Sequence, residues 1–158
     1  MANTQAMCTS FMGELLTATH NFGTAPVRAA TTADTFKAAL YLTSATINAS
    51  TTAYSATGEV SGTNYTAGGV AVTNATAPSS TNTSATAGVA YWTPSASITY
   101  TNVTLSTAFD TVLIYNSTQS DKSVSVHTFG SQTITAGTFT LTMPSNTTST
   151  ALLRLATT

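Results

Sequence analysis

The 158-residue chain has very little charge: Asp, Glu, Lys and Arg together make up 6% of it, against about 25% in an ordinary globular protein. That deficit already argues against several functions. Arg28, Lys37, Lys122 and Arg154 are the cationic side chains, too few and too scattered to follow a phosphate backbone or to hold an anionic membrane surface. Neither a nucleic acid nor a membrane is an expected partner. Cysteine is scarce as well, and Cys8 alone permits no internal disulfide, so the fold does not depend on an oxidising compartment. No run approaches the ~18 apolar residues of a membrane span. The opening "MANTQAMCTSFMGELL" has neither a basic leader nor a continuous apolar core, so it is not expected to be a signal peptide. Synthesis in a cytoplasm is the expectation.

Hydroxyl groups supply the polarity that charge does not: the chain holds 38 Thr and 18 Ser. Threonine favours strands, and short hydroxyl side chains lose little entropy on ordering. A chain of this size forms one domain and can bury roughly two-thirds of its unfolded surface. With a net charge of -1, its surface does little to resist contact with a neighbour. Such a surface suits a subunit of an assembly better than a free enzyme. Seven N-x-S/T triplets occur, at Asn48, Asn64, Asn74, Asn82, Asn102, Asn116 and Asn146. In so hydroxyl-rich a chain, chance explains them better than glycosylation.

One segment carries a helical period. Met7, Cys8, Phe11, Met12, Leu15 and Leu16 recur at gaps of three and four, which predicts an N-terminal α-helix or arm over residues 1–25. It either packs on its own domain or docks on another subunit, with Met7, Phe11, Met12 and Leu15 as the contact residues. From Phe36 onward the period becomes two, and residues 26–158 read as a single β-domain. "FKAALYLT" alternates as a half-buried strand, with Phe36, Ala38, Leu40 and Leu42 on the inner side. "SITYTNVTLS" slips phase near Thr101 and Asn102, which implies a bulge or tight turn. "FDTVLIYNS" has no alternation and reads as a central strand covered on both faces. "NATAPSSTNTSATAG", residues 74–88, reads as a long exposed loop. Many short strands between turn signals predict an all-β fold, an antiparallel β-sandwich or jelly-roll-like barrel with one N-terminal α-helix.

The stretch "EVSGTNYTAGGVAV", residues 59–72, tests for a ligand loop. A phosphate loop needs a helix after its glycines and commonly a lysine. Here a strand follows Gly69, and the next lysine is Lys122, so Gly62, Gly68 and Gly69 are expected to be turn residues. Thr-Ala-Gly recurs at Thr66, Thr86 and Thr135, and "TITAGTFTLTMP" predicts a hairpin at Ala136 and Gly137, with glycine supplying a positive φ. The acids Glu14, Asp34, Glu59, Asp110 and Asp121 form no recognisable pair. Glu59, beside a glycine turn, is expected to face solvent. His20, His127 and Cys8 have no metal-site spacing, and no nucleophile elbow surrounds any serine. No catalytic, cofactor or metal residue is assigned, and the chain is not expected to be an enzyme.

The succession "DTFKAALYLTSATI", "TTAYSATGEVSGTNYTAGGVAVTN", "DTVLIYNSTQSDKSVSVHTFGSQTITAGTFTLTMP" and "ALLRL" resembles a family of small virion structural proteins of tailed bacteriophages. The resemblance spans residues 8–155. It implies a place in the virion, on the capsid surface, as a head decoration or cement protein that binds the major capsid protein lattice as a homotrimer. The alternative is a tail-associated protein, either a tail subunit or a fibre or adhesin subunit binding host glycan. In that case Tyr54, Tyr65, Tyr91 and Trp92 are candidates to stack on sugars, with core packing as their other role.

Overall fold

A computed structural model describes residues 3–8, 19, 20, 22, 33–73, 78–80 and 89–156. Among them there is no helix. The described residues are all-β, with eight strands: β1 (Ala6–Met7), β2 (Phe36–Leu42), β3 (Val70–Val72), β4 (Ser79–Ser80), β5 (Val89–Trp92), β6 (Ile98–Asn116), β7 (Lys122–Leu141) and β8 (Leu153–Ala156). Five of these form one sheet in the order β1-β7-β6-β2-β3, and three form a second in the order β4-β5-β8. Every pairing is antiparallel.

β6 and β7 dominate the larger sheet. They run for 19 and 20 residues, whereas strands usually run for about 3–10. Twelve of the β6 residues are β-branched or aromatic, which favours extended backbone throughout. Strands this long must bend with the sheet's twist, and the bend enters through register shifts at several points along the pair. One falls between Tyr100 and Val103, where Asn102 takes a φ of 52°, at the phase slip legible in "SITYTNVTLS". Residues 112–116 are all buried, where β6 is the central strand of the sheet between β2 and β7.

The hairpin expected at Ala136 and Gly137 is not there. β7 continues straight through both residues. Val103 opposes Gly137 and Leu105 opposes Ile134, so β7 carries one extra residue at this point, a bulge. The positive φ belongs to Ala136, at 45°, and its N–H donates to Thr104 Oγ1 at 3.0 Å. The real β6–β7 turn lies at residues 117–121 and contains no glycine. Ser120 and Asp121 take its positive φ values, and Asn116 Oδ1 accepts from the Thr118 and Gln119 N–H groups, both at 3.1 Å. A short polar side chain closing its own turn does the work assigned to glycine.

β2 is also more enclosed than its alternation suggests. Ala39 and Tyr41, expected to face outward, are buried, because residues 53–69 fold back over them. In the stretch read as an exposed loop, Ser79–Ser80 pair with Tyr91 and Ala90 as β4; residues 74–77 and 81–88 lie outside the described residues.

The N-terminal stripe departs from the expected helix at its start. Ala6 and Met7 pair with Val126 and Ser125 of β7, and Asn3 ties the segment down. Its Nδ2 donates to Asp110 Oδ1 at 2.8 Å, and its Oδ1 accepts from the Ile47 N–H at 3.0 Å. An apolar side chain every three or four residues does not select a helix when an open sheet edge offers the backbone a ladder. Phe11, Met12 and Leu15, with most of the proposed stripe, lie outside the described residues. Cys8 and Phe22 belong to the same hydrophobic core as the strands. That core joins the two sheets: Phe22 stacks on Phe36 at 4.8 Å and meets Trp92 of β5 at 4.8 Å.

Candidate functional site

The densest polar constellation is built by the glycine-rich stretch itself. Gly62 lets the backbone approach Thr104, whose carbonyl would lie 2.0 Å from a Cβ at that position. Thr63 then bridges Thr104. Asn64, at a φ of 60°, donates through Nδ2 to Asn102 O at 2.8 Å. Gly68 and Gly69 follow with φ values of 86° and 74° and hand the chain to β3. The loop therefore lies flat along β6 and β2.

Glu59, expected to face solvent, is instead a half-buried hub. Its carboxylate accepts from Tyr54 OH at 2.6 Å, Tyr65 OH at 2.7 Å and the Gly68 N–H at 2.8 Å. Three donors on one carboxylate give charge-assisted hydrogen bonds, the strong kind. The neighbouring phenols are committed as well: Tyr41 OH donates to Ser55 O at 2.6 Å, Tyr100 OH to Ala38 O at 2.7 Å and Tyr115 OH to Gly68 O at 2.7 Å. Tyr54 stacks on Tyr115 at 4.8 Å, and Tyr65 on Tyr100 at 6.0 Å. Chemically, this arrangement locks residues 53–69 onto the sheet.

Burial, with the Glu59 charge as a smaller contribution, raises all five phenols. Tyr41 and Tyr115 are pushed from 10.0 up to about 12, and Tyr54, Tyr65 and Tyr100 are raised further. A raised folded pKa means that these groups contribute stability fully below pH 10, which is lost as pH climbs through 12. His127 has the opposite sign. Burial pushes it down from 6.5 to about 4, so its contribution is present above pH 6.5 and is lost as pH falls towards 4. Urea midpoints measured against pH are therefore expected to show a plateau between about 6.5 and 10 with a fall on either side. Stability that stays level from pH 10 to 12 would contradict the tyrosine lock.

Two further polar groups lie in the core. Ser125 and His127 of β7 are hydrogen-bonded through Oγ and Nε2 at 2.9 Å; Ser125 is fully enclosed and His127 half-buried. Asn116 Nδ2 donates to Asp34 Oδ2 at 2.8 Å and meets His20 Nδ1 at 3.0 Å. The two backbone bonds to Asn116 Oδ1 fix the amide's orientation, so His20 Nδ1 is an acceptor. Asp34 is also held by Gln119 Nε2 at 3.1 Å. The Ser125–His127 pair is thus separate from the Asp34–Asn116–His20 network, and Ser125 is closed to a substrate. Among the described residues, no cluster of three or more His, Cys, Asp and Glu is placed to hold a metal ion.

The structure also disperses the residues considered for sugar stacking. Trp92 is 2% exposed within the core, Tyr54 and Tyr65 are tied to Glu59, and Tyr91 is half-buried in β5. Of the four contact residues expected near the N-terminus, Met7 has its backbone in β1, and Phe11, Met12 and Leu15 lie outside the described residues. Among the described residues, what faces outward is hydroxyl-rich and almost free of charge. Between Lys122 and Arg154, and between Glu59 and Asp110, no Asp, Glu, Lys or Arg occurs. Sequence reasoning missed the Glu59 hub because its donors come from positions with no periodic relation to it. It missed the exposed β7 surface because it divided that strand in two. No protein-family model, no curated protein and no solved structure matches the chain.

Proposed function

We propose that this chain is a structural protein of a tailed-bacteriophage virion, a head decoration protein that sits on the major capsid protein lattice and stabilises the shell. The observation that carries the reading is the near absence of charge from an exposed, hydroxyl-rich β-surface on a locked framework. A surface of this kind adheres by area and hydrogen bonds rather than by charge pairing, as repeated contacts in an assembly require. The sequence resemblance to small virion proteins points the same way. In this reading the two sheets are the layers of a β-sandwich, with Phe36 and Trp92 meeting between them.

The test is stoichiometry. Densitometry of purified particles against the major capsid protein is expected to give a copy number that tracks the capsid lattice. A small fraction of that number would overturn head decoration in favour of a tail position, and absence from particles would overturn both.

A further inference from the structure

We propose that the open edge of β7, residues 128–141, is where a second copy of this chain adds its own β7, antiparallel, about a two-fold axis. The N-terminal segment covers β7 at Val124, Ser125 and Val126, through Cys8, Met7 and Ala6. Beyond that point, among the described residues, β6 is the sole strand paired with β7. Among the described residues, one side of the strand therefore has no backbone partner from residue 128 to residue 141.

A monomeric protein ordinarily blunts such an edge with charge, proline, brevity, a bulge or a cover. The other outer strands here follow that rule: β1, β3 and β4 are two or three residues long, and β8 carries Arg154. The β7 edge has only bulges to protect it, and none on β7 within residues 137–141. From residue 128 to residue 141 it contains no charged side chain and no proline. On β7 the extra residues fall between Thr128 and Gln132 and between Ile134 and Gly137, which leaves residues 137–141, "GTFTL", as a regular stretch open to pairing.

The occupant follows from the chemistry of that stretch. With no charge, it has no electrostatic feature by which a charged partner could be steered or selected. Thr138 and Thr140 are exposed, and Phe139 and Leu141 half-buried. Paired with a copy of itself, the stretch sets threonine against threonine, a favourable cross-strand pair, and extends the cover over Phe139 and Leu141. A two-fold contact is self-complementary and closes at two copies. This replaces the expected homotrimer as the state of the isolated chain, and it holds whether head or tail carries the protein.

Sedimentation velocity of the full chain is expected to give a dimer, and Thr138→Lys/Thr140→Lys a monomer with unchanged far-UV circular dichroism. Mixing that variant with Thr138→Glu/Thr140→Glu is expected to restore the dimer, an outcome a folding defect would not produce. A wild-type monomer or trimer would overturn the proposal. So would a lysine variant that still dimerises, including one whose association is then abolished by Leu155→Lys, which would move the contact to β8.

Discussion

Replacing Gly69 with alanine is expected to destabilise the protein by about 4 kcal/mol or more, at the severe end for a single substitution. Two independent causes act at this residue. Its φ of 74° is strained for any residue with a side chain, which costs about 1–2 kcal/mol. An added Cβ would also lie 1.6 Å from the Ala38 carbonyl oxygen and 2.8 Å from the Ala39 Cα. Both atoms belong to the backbone of β2, buried between β6 and β3, so neither can move aside cheaply. Gly130→Ala is the control. A Cβ there meets nothing within 4 Å, and its φ is not in the left-handed region, so its effect is expected to stay within about 0.5 kcal/mol. Equal urea midpoints for the two variants would show that Gly69 is not where the loop closes on β2.

Trp92→Ala is expected to cost about 3–5 kcal/mol. The indole belongs to β5 of the smaller sheet and meets Phe22 at 4.8 Å and Phe36 of β2 at 6.1 Å. Its removal opens a large void where the two sheets meet, and the stacked Phe22 and Phe36 rings cannot refill a space of that shape. Thermal melting of this variant should separate it clearly from Tyr91→Ala, which truncates the half-buried neighbour on the other face of the strand. A Trp92 variant that melts with the wild type would mean that the sheets are held together elsewhere.

Gly137 shows how the same residue type can carry different consequences. An added Cβ would meet Ile134 Cγ2 at 2.9 Å, the end of a side chain that can rotate, and the strained backbone belongs to Ala136. Its substitution is therefore expected to be milder than that of Gly69. The repeated Thr-Ala-Gly triplet suggested a common turn. At Thr66 the triplet leads through Gly68 and Gly69 into a turn, and at Thr135 it forms a bulge inside a continuous strand.

Several features were legible because they depend on neighbours in the chain. The all-β class follows from threonine content and short apolar runs, the central position of residues 112–116 from four consecutive apolar side chains, and the Asn102 bulge from a slip in alternation. Each is a local pattern whose physical cause lies within a few residues. The scarcity of charge is likewise a property of the sequence alone, and it bears on the proposed function independently of the fold.

Tertiary structure decided the rest, because the deciding partner was distant in sequence in every case. Glu59 is a hub rather than a solvated carboxylate only because Tyr54, Tyr65 and Gly68 converge on it. Ala39 and Tyr41 are buried only because residues 53–69 return over them. The β6–β7 turn sits at Asn116 rather than at Gly137 because a side chain closing on its own backbone can stand in for glycine. Composition determined what kind of surface this protein presents, and only the long-range pairing of β6 and β7 decided which edge remains open.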